Sequence, residues 1–341
     1  MPTAADWAAA VAAVRELPPD ARVLLVCHIN PDGDALGSML GFGLGLRRLG
    51  FGPLGGGQLQ ATFPGPPVVP EPFRELPGLD MLVPAGEAMA DPDLLVCFDA
   101  ASESRLGTLV DRLDLAGASI VLDHHASNTR FGGIHLIDAS AAATGMVVEQ
   151  LLARLGVRLD TEIAECLYVA LATDTGSFRF DMTTPAVHEM AARLIATGIR
   201  PGDISRRIFD TRPFGSVRLY GDVLSRACLE PAAAGGAGMV WTYATLDDLA
   251  RHDQEPYVLE PLIDSVRCAA EADVSCVVKQ VGAGEWAVSM RSKGAVDVSR
   301  VAVALGGGGH RLAAGFTWRG TEQDVIAAIR AELDADPSAA A

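Results

Sequence analysis

The chain lacks any run of about 18 apolar residues of the kind a membrane-spanning helix needs. Its opening stretch, MPTAADWAAAVAAVRELPPD, carries Asp6 and Glu16 and has no unbroken apolar core, so a signal peptide is not expected. Its six cysteines (27, 97, 166, 228, 268, 276) include no C-x-x-C pair and follow no disulfide spacing. Most stand inside apolar runs such as VLLVC and LLVCF, where a thiol serves as a small buried hydrophobe. That usage fits a reducing, cytoplasmic setting. Positive charge is also scarce: 27 Lys and Arg stand against 43 Asp and Glu, a net charge of −16. Such a surface repels polyphosphate, which argues against a protein that coats long DNA or RNA and leaves room for a short nucleotide held at a local positive centre.

What is present is ample apolar material. With 341 residues, 49% of them hydrophobic, the chain can bury a sizeable core and has the length of about two domains. Arg22–Cys27 (RVLLVC) reads as a buried parallel strand, apolar on both faces and followed by a Pro/Gly/Asp loop. Asp93–Phe98 and Ser119–Leu122 read as two more. Asp34–Leu49, Ala141–Leu155, Thr161–Thr173 and Pro185–Thr197 have helical periodicity, and glycines 37, 41, 43 and 45 allow the first of these helices to approach a sheet closely. Strands alternating with helices predict an α/β domain, a mostly parallel sheet with helices on both faces. Between Phe51 and Asp93 the pattern dissolves into Gly and Pro, as in a surface excursion.

The glycine-rich segment PAAAGGAG at 231–238 reads as a linker. Beyond it, strands at Met239–Ala244, Val274–Val281, Trp286–Arg291 and Ala313–Trp318 mix with helices at Leu262–Ala269, Val298–Leu305 and Glu322–Leu333. The expected organisation is a domain over 1–230, the linker 231–238, a smaller mixed α/β domain over 239–335 with a cleft between the two, and a frayed tail at 336–341.

Acidic and histidine side chains fall where such a sheet concentrates function. His28, Asp32 and Asp34 follow the first strand, Asp99 closes LLVCF, and Asp123, His124 and His125 close SIVL. Asp174 ends a long helix in LATDTGSF. Carboxyl ends of parallel strands line the crevice where ligands bind. Five aspartates gathered there would repel one another unless cations neutralised them. Two divalent ions about 3.5–4 Å apart would occupy most of these groups. Oxygen and nitrogen ligands without thiolate suit Mn²⁺, Mg²⁺ or Co²⁺ better than a structural zinc. Each piece alone has a plainer explanation as a turn, a helix cap or a solvated side chain; four in order do not. His135, His188 and His252 match no such pattern and read as structural, as do Trp241 and Trp286.

HINPDGDALGS, the aspartate in LLVCFDA, the DHH triplet at 123–125 and ATDTGSFRF resemble the four ordered motifs of the DHH phosphoesterases. RSKGAVDVSRVAVALGGGGHRLAAGF resembles the signature of the DHH-associated C-terminal domain, so the likeness spans about residues 21 to 318. It is nearest to the branch of nanoRNase/pAp phosphatases. The resemblance implies one cation on His28, Asp32 and Asp99, and a second on Asp34, Asp99, His124 and Asp174, with Asp99 shared. It further implies that Asp123 fixes an imidazole and that His125 faces the scissile phosphate. Arg291, Ser292, Gly308, Gly309 and His310 would hold the far end of the substrate. The expected substrates are short oligoribonucleotides and 3′-phosphoadenosine 5′-phosphate (pAp), with long nucleic acid and membranes excluded and a homodimer as the assembly. Hydrolysis of linear or cyclic dinucleotides such as pApA or c-di-AMP is the alternative. A non-catalytic nucleotide-binding regulator stands behind both, because every ligand position is filled.

Overall fold

In the computed structural model, which describes residues 1–52 and 56–335, RVLLVC forms a strand (β1, Arg22–Cys27) with its last five residues buried. A strand apolar on both faces belongs inside a sheet. Its parallel neighbours are β2 (Gln58–Thr62) and β3 (Leu94–Phe98), and β4 (Ala118–Asp123) and β5 (Ile134–Ile137) extend the sheet beyond β3. The order is β2-β1-β3-β4-β5, parallel throughout. From β1 the chain passes to one side to make β2 and returns on the other side to make β3. Connections therefore diverge at the carboxyl ends of β1 and β3, the point where open parallel sheets place ligands. Register sets Cys27, Phe98 and Leu122 level. The residues that follow them are His28, Asp99 and Asp123.

Helices α1 (Ala4–Arg15), α2 (Gly33–Arg48), α4 (Thr144–Leu155), α5 (Thr161–Asp174) and α6 (Pro185–Ile195) share one core with Val23, Leu25, Val96, Phe98, Ile120 and Leu122. The opposite face, with Leu24, Val26, Leu95, Cys97 and Val121, is covered more thinly. There lie the 3-10 turns Ala85–Glu87 and Glu103–Leu109 and the four-residue α3 (Arg112–Leu115), packed through Leu106, Leu109 and Leu113. Gly107, at φ +51, breaks what would otherwise be a continuous helix on this side. A short α7 (Pro201–Ser205) runs into one π turn, Arg206–Asp210.

The α2 glycines act differently from expectation. A Cβ at Gly37 would lie 2.3 Å from the Cys166 carbonyl oxygen of α5, and one at Gly45 2.3 Å from Leu152 of α4. The close approach is thus mainly helix against helix; Gly43 does face β1, 2.9 Å from Leu25 Cδ1. The expected excursion at 51–93 holds the edge strand β2. Its polar Gln58 and Gln60 mask the strand pattern and are tolerated because an edge strand is partly solvated.

The chain divides into two compact units, Met1–Thr211 and Arg212–Ala341. The break therefore precedes the expected linker. In the second unit α8 (Phe214–Ser225) leads to β6 (Cys228–Glu230), which pairs with β7 (Met239–Ala244). Residues 231–238 are the turn between those two strands. Ala234 is fully buried, and a Cβ at Gly238 would meet the Glu271 carbonyl oxygen at 2.3 Å. Gly238 thus serves close packing.

After α9 (Leu246–Arg251) and α10 (Leu262–Val266) come β8 (Val274–Gly282), β9 (Glu285–Ser292), α11 (Val298–Ala304), β10 (Gly308–His310), β11 (Ala313–Arg319) and α12 (Glu322–Ala335). The sheet order is β10-β11-β9-β8-β7-β6, with only β7 and β8 parallel among the described residues. α8, α9 and α10 pack on one face with Val240 and Val277, while α11 and α12 pack on the other with Cys276 and Val288. The expected tail at 336–341 lies outside the described residues.

Candidate metal centre

His28 follows β1 and is buried. The chain then turns through Asn30, at φ +54, so that Asp32 becomes the N-cap of α2 and its Oδ1 accepts the Ala35 N–H at 3.0 Å. The same oxygen lies 3.9 Å from His28 Nε2. Asp34, in the first turn of α2, is completely buried. Its Oδ1 accepts from Ser38 Oγ at 2.8 Å and from Gly145 N at 3.0 Å, and its Oδ2 accepts from Thr144 N at 2.6 Å. The carboxylate thus also sits at the amino end of α4, where the helix dipole favours negative charge.

Asp99 continues the β3–β4 ladder by donating its backbone N–H to Leu122 O at 2.9 Å, and then adopts φ +56. Left-handed backbone at a residue with a side chain is strained, and such strain clusters at functional sites. The carboxylate lies 3.4 Å from His28 Nε2, 3.6 Å from His124 Nε2 and 3.7 Å from His125 Nδ1. Thr144 Oγ1 donates to its Oδ1 at 2.9 Å.

Asp123, the last residue of β4, is fully buried and engaged through both oxygens. Oδ1 accepts the His125 Nδ1–H at 2.7 Å and the His124 backbone N–H at 2.9 Å, while Oδ2 accepts from Asn128 Nδ2 at 2.6 Å. His124 Nδ1 donates to Ala141 O at 3.2 Å, which turns Nε2 toward Asp174 at 3.1 Å and Asp34 at 3.8 Å. The helix α5 ends at Asp174, and the chain leaves it through a left-handed turn at Gly176, Ser177 and Phe178.

The charges are mutually dependent. Burial, together with the charges of Asp99 and Asp174, pushes the Asp34 carboxyl well up. Burial also acts to raise Asp99, but His28, His125 and His124 outweigh it and hold that carboxyl well below the usual range. Burial would lower His124; its contact with Asp174 and the neighbouring carboxylates raises it instead. His28 and His125 are raised in the same way, by Asp99 and Asp123 respectively, against burial. An anionic pocket with imidazoles as its counter-charges is what a divalent-cation site becomes when protons stand in for the metal.

Within the first unit, three sets of described side chains bring ligand atoms within 4.8 Å of one another: His28, Asp32 and Asp99; Asp34, Asp99 and His124; and Asp99, Asp123 and His125. Asp99 belongs to all three. The first two sets fit divalent cations by their chemistry, buried carboxylate oxygens beside imidazole nitrogens, with the His124 ring oriented from behind by a carbonyl. Asp123 in the third set is already taken up by three donors. Asp174 reaches the second set through His124.

Ser38, Asn128, Thr144 and Gly145 orient these carboxylates and were not anticipated. Nor was Arg105, whose guanidinium lies 2.9 Å from His28 Nδ1 and whose carbonyl accepts the Ile29 N–H at 3.0 Å. Asn128 stands five residues past Asp123, in DHHASN, where an amide close behind a DHH triplet is the one available signal.

In the second unit, register sets Arg291 of β9 and His310 of β10 level on either side of Ala313. Gly309, at φ +139, runs so close to β11 that a Cβ would lie 2.5 Å from Ala313 O, whereas Gly308 faces open space. Ser292 is tied within its own unit. It is buried, its hydroxyl donates to Asp273 Oδ2 at 2.8 Å and accepts the Gly294 N–H at 3.0 Å, and so it holds the turn after β9. The remaining candidates are structural: His135 bonds Phe131 O, His188 stacks on Phe178, and His252 meets Asp222. Trp241 donates to Glu230 and Trp286 to Gly320 O.

The bifunctional oligoribonuclease and PAP phosphatase NrnA of Thermus thermophilus is 34% identical to this chain over 316 residues, covering 91% of this chain and 90% of that protein. The chain belongs to the DHH family. Residues 22–171 match the DHH family, N-terminal domain, and residues 240–335 match the DHHA1 domain. This DHH protein is also 26% identical over 305 residues to the enzyme of the same description from Bacillus subtilis, covering 87% of this chain and 90% of that one. Among solved structures, an exopolyphosphatase-related protein from Bacteroides fragilis shares the fold with a TM-score of 0.84 at 22% identity, over 97% of this chain and 96% of that one. No helix among the described residues is long and apolar enough to cross a membrane.

Proposed function

We propose that the protein is a metal-dependent phosphoesterase that hydrolyses short oligoribonucleotides to mononucleotides and dephosphorylates pAp. One observation carries this reading: Asp99 is shared by two sets of cation-binding side chains at the topological switch point of a DHH domain. His28, Asp32 and Asp99 would hold one divalent cation, and Asp34, Asp99, His124 and Asp174 a second, with Mn²⁺ the foremost candidate and Mg²⁺ or Co²⁺ next. Bound there, such ions neutralise phosphate charge and acidify water.

The side chains divide the remaining work. His125, held through Nδ1 by Asp123, faces the scissile phosphate as a hydrogen-bond donor or as the acid for the leaving oxygen. Asn128 braces Asp123 from behind. Arg291, Gly308, Gly309 and His310 hold the substrate beyond the scissile phosphate, supported by the shared level of Arg291 and His310 in their sheet. In this assignment the first unit is catalytic and the second binds substrate. A net charge of −16 leaves affinity to the cations and a few basic side chains, which supports short substrates over long nucleic acid. The reading includes a cytoplasmic location, in keeping with buried thiols at Cys27, Cys97, Cys166 and Cys276, and a homodimer.

The test is a release assay with Mn²⁺ that presents pAp, pApA, a 24-mer RNA and c-di-AMP in parallel. Turnover of pAp and pApA with little on the 24-mer is expected. Turnover of the cyclic compound or the 24-mer alone would overturn the substrate assignment. Binding of Mn²⁺ with no turnover of any of them would make the protein a nucleotide binder.

A further inference from the structure

Thr144 is the first residue of α4 and is fully buried. A threonine at a helix start ordinarily serves as a cap. Here the N-cap position belongs to Ala143, which makes no side-chain capping bond, and the Thr144 hydroxyl points away from that duty. It donates to Asp99 Oδ1 at 2.9 Å, while the backbone N–H of the same residue donates to Asp34 Oδ2 at 2.6 Å. One residue therefore grips a carboxylate from α2 and the carboxylate that follows β3.

The geometry around Asp99 gives that grip a consequence. Oδ2 faces His28 Nε2 at 3.4 Å, and Oδ1 faces His124 Nε2 at 3.6 Å. A carboxylate can turn about its last side-chain bond, and the terminal torsion of aspartate is broad. Only one rotation points one oxygen toward each ligand set. A hydroxyl bonded to Oδ1 selects that rotation and occupies one lone pair, so the others face the two sets.

We propose that Thr144 is a positioning residue of the cation centre, its hydroxyl holding Asp99 in the orientation that serves both ligand sets at once and its N–H fixing Asp34 beside it. This rests on the two-cation reading above.

The experiment compares Thr144→Val, which keeps the shape and removes the hydroxyl, with Thr144→Ser, which keeps the hydroxyl. Mn²⁺ binding to the metal-free protein is measured by calorimetry, the metal-free melting temperature by circular dichroism, and kcat and KM on pApA at saturating Mn²⁺. Partners that orient metal ligands typically contribute about 10–100-fold in affinity. Thr144→Val is expected to weaken Mn²⁺ binding by that factor and to lower kcat more than it raises KM, with Thr144→Ser close to the wild type. If Thr144→Val does not fold, Thr144→Ala reads the same hydroxyl without the added bulk.

Unchanged Mn²⁺ affinity and kcat in the hydroxyl-less variant would overturn the proposal and leave the two-cation reading intact. Equal losses in Thr144→Ser and Thr144→Val would also overturn it, because serine keeps the hydroxyl, and sensitivity of this buried position to any change of packing would then account for the effect. A wild-type protein that takes up no Mn²⁺ would instead remove the two-cation reading and the proposal with it.

Discussion

Asp123 and His125, two residues apart at the end of β4, are joined by a 2.7 Å hydrogen bond from the imidazole Nδ1–H to a carboxylate with no solvent exposure. Asn128 and the His124 backbone N–H complete the carboxylate's partners. The arrangement fixes which nitrogen of His125 carries the proton on the protein side. Both oxygens of Asp123 are thus already engaged, close as it lies to the cation sets.

Replacing Asp123 by Asn should therefore separate chemistry from metal binding. An amide can present either its oxygen or its NH₂ to the imidazole, so the tautomer is no longer enforced. General acid–base groups contribute about 10²–10⁴-fold. A fall in kcat toward that range is expected, with Mn²⁺ affinity by calorimetry within a few-fold of wild type. A parallel loss of metal would place Asp123 among the ligands.

Close packing of α2 on α5 also serves the site, since α2 carries Asp34 and α5 ends in Asp174. Gly37→Ala would put a methyl 2.3 Å from the Cys166 carbonyl oxygen, which is backbone and cannot step aside. Overpacking of this kind costs about 1–3 kcal/mol. A lower urea midpoint and weaker Mn²⁺ binding are expected together. Gly221→Ala in α8, where the added methyl meets nothing within 4 Å, is the control and should stabilise by about 0.5–1 kcal/mol.

Much of this site was legible in the chain, and the reason is local. His28, Asp99 and Asp123 each stand directly after an apolar run, so strand ends could be read and the sheet's register did the rest. Thr144 and Ser38 were not legible, because a hydroxyl in a helix has no pattern until its partner is known, and Asn128 offered only its place close behind the DHH triplet. Ser292 shows a use that sequence did not reveal: its neighbours carry the family signature, while its own hydroxyl serves Asp273. Glycine told only part of its use: along α2 it marks the expected close approach, but mainly to α5 and α4, and in 231–238 Gly238 marks tight packing that composition alone does not separate from flexibility.

The second unit has its own acid-sensitive bond. Burial acts to raise the Asp248 carboxyl, but Arg226 and the N–H and hydroxyl of Thr245 outweigh it and hold the carboxyl below its usual value. A lowered folded-state pKa means stability that is present above the unfolded value, about 3.9, and lost as pH falls through the folded one. Urea unfolding of this unit should therefore weaken below about pH 4. Asp248→Asn should lower stability at neutral pH by about 1.5–3 kcal/mol and flatten that part of the acid limb. An unchanged acid limb would show that other carboxylates govern it.

Thiol chemistry gives an independent check on packing. Cys228 and Cys268 are exposed, while Cys27, Cys97, Cys166 and Cys276 are buried. Burial pushes the thiols of Cys97 and Cys276 up to about 12, so neither offers thiolate at neutral pH. Ellman's reagent should titrate Cys228 and Cys268 quickly and the other four on unfolding. Fast reaction of Cys27, next to His28, would mean that the end of β1 opens.

The central claim is that Asp99 joins two cation sites. Its most direct test is calorimetric titration of Mn²⁺ into the metal-free protein and its Asp99→Ala variant, with turnover of pApA followed on the same samples. Two ions per wild-type chain are predicted, as a shared-carboxylate pair requires, with tight uptake lost in the variant and turnover lower by orders of magnitude. A variant that still binds Mn²⁺ tightly and still cleaves pApA would contradict it.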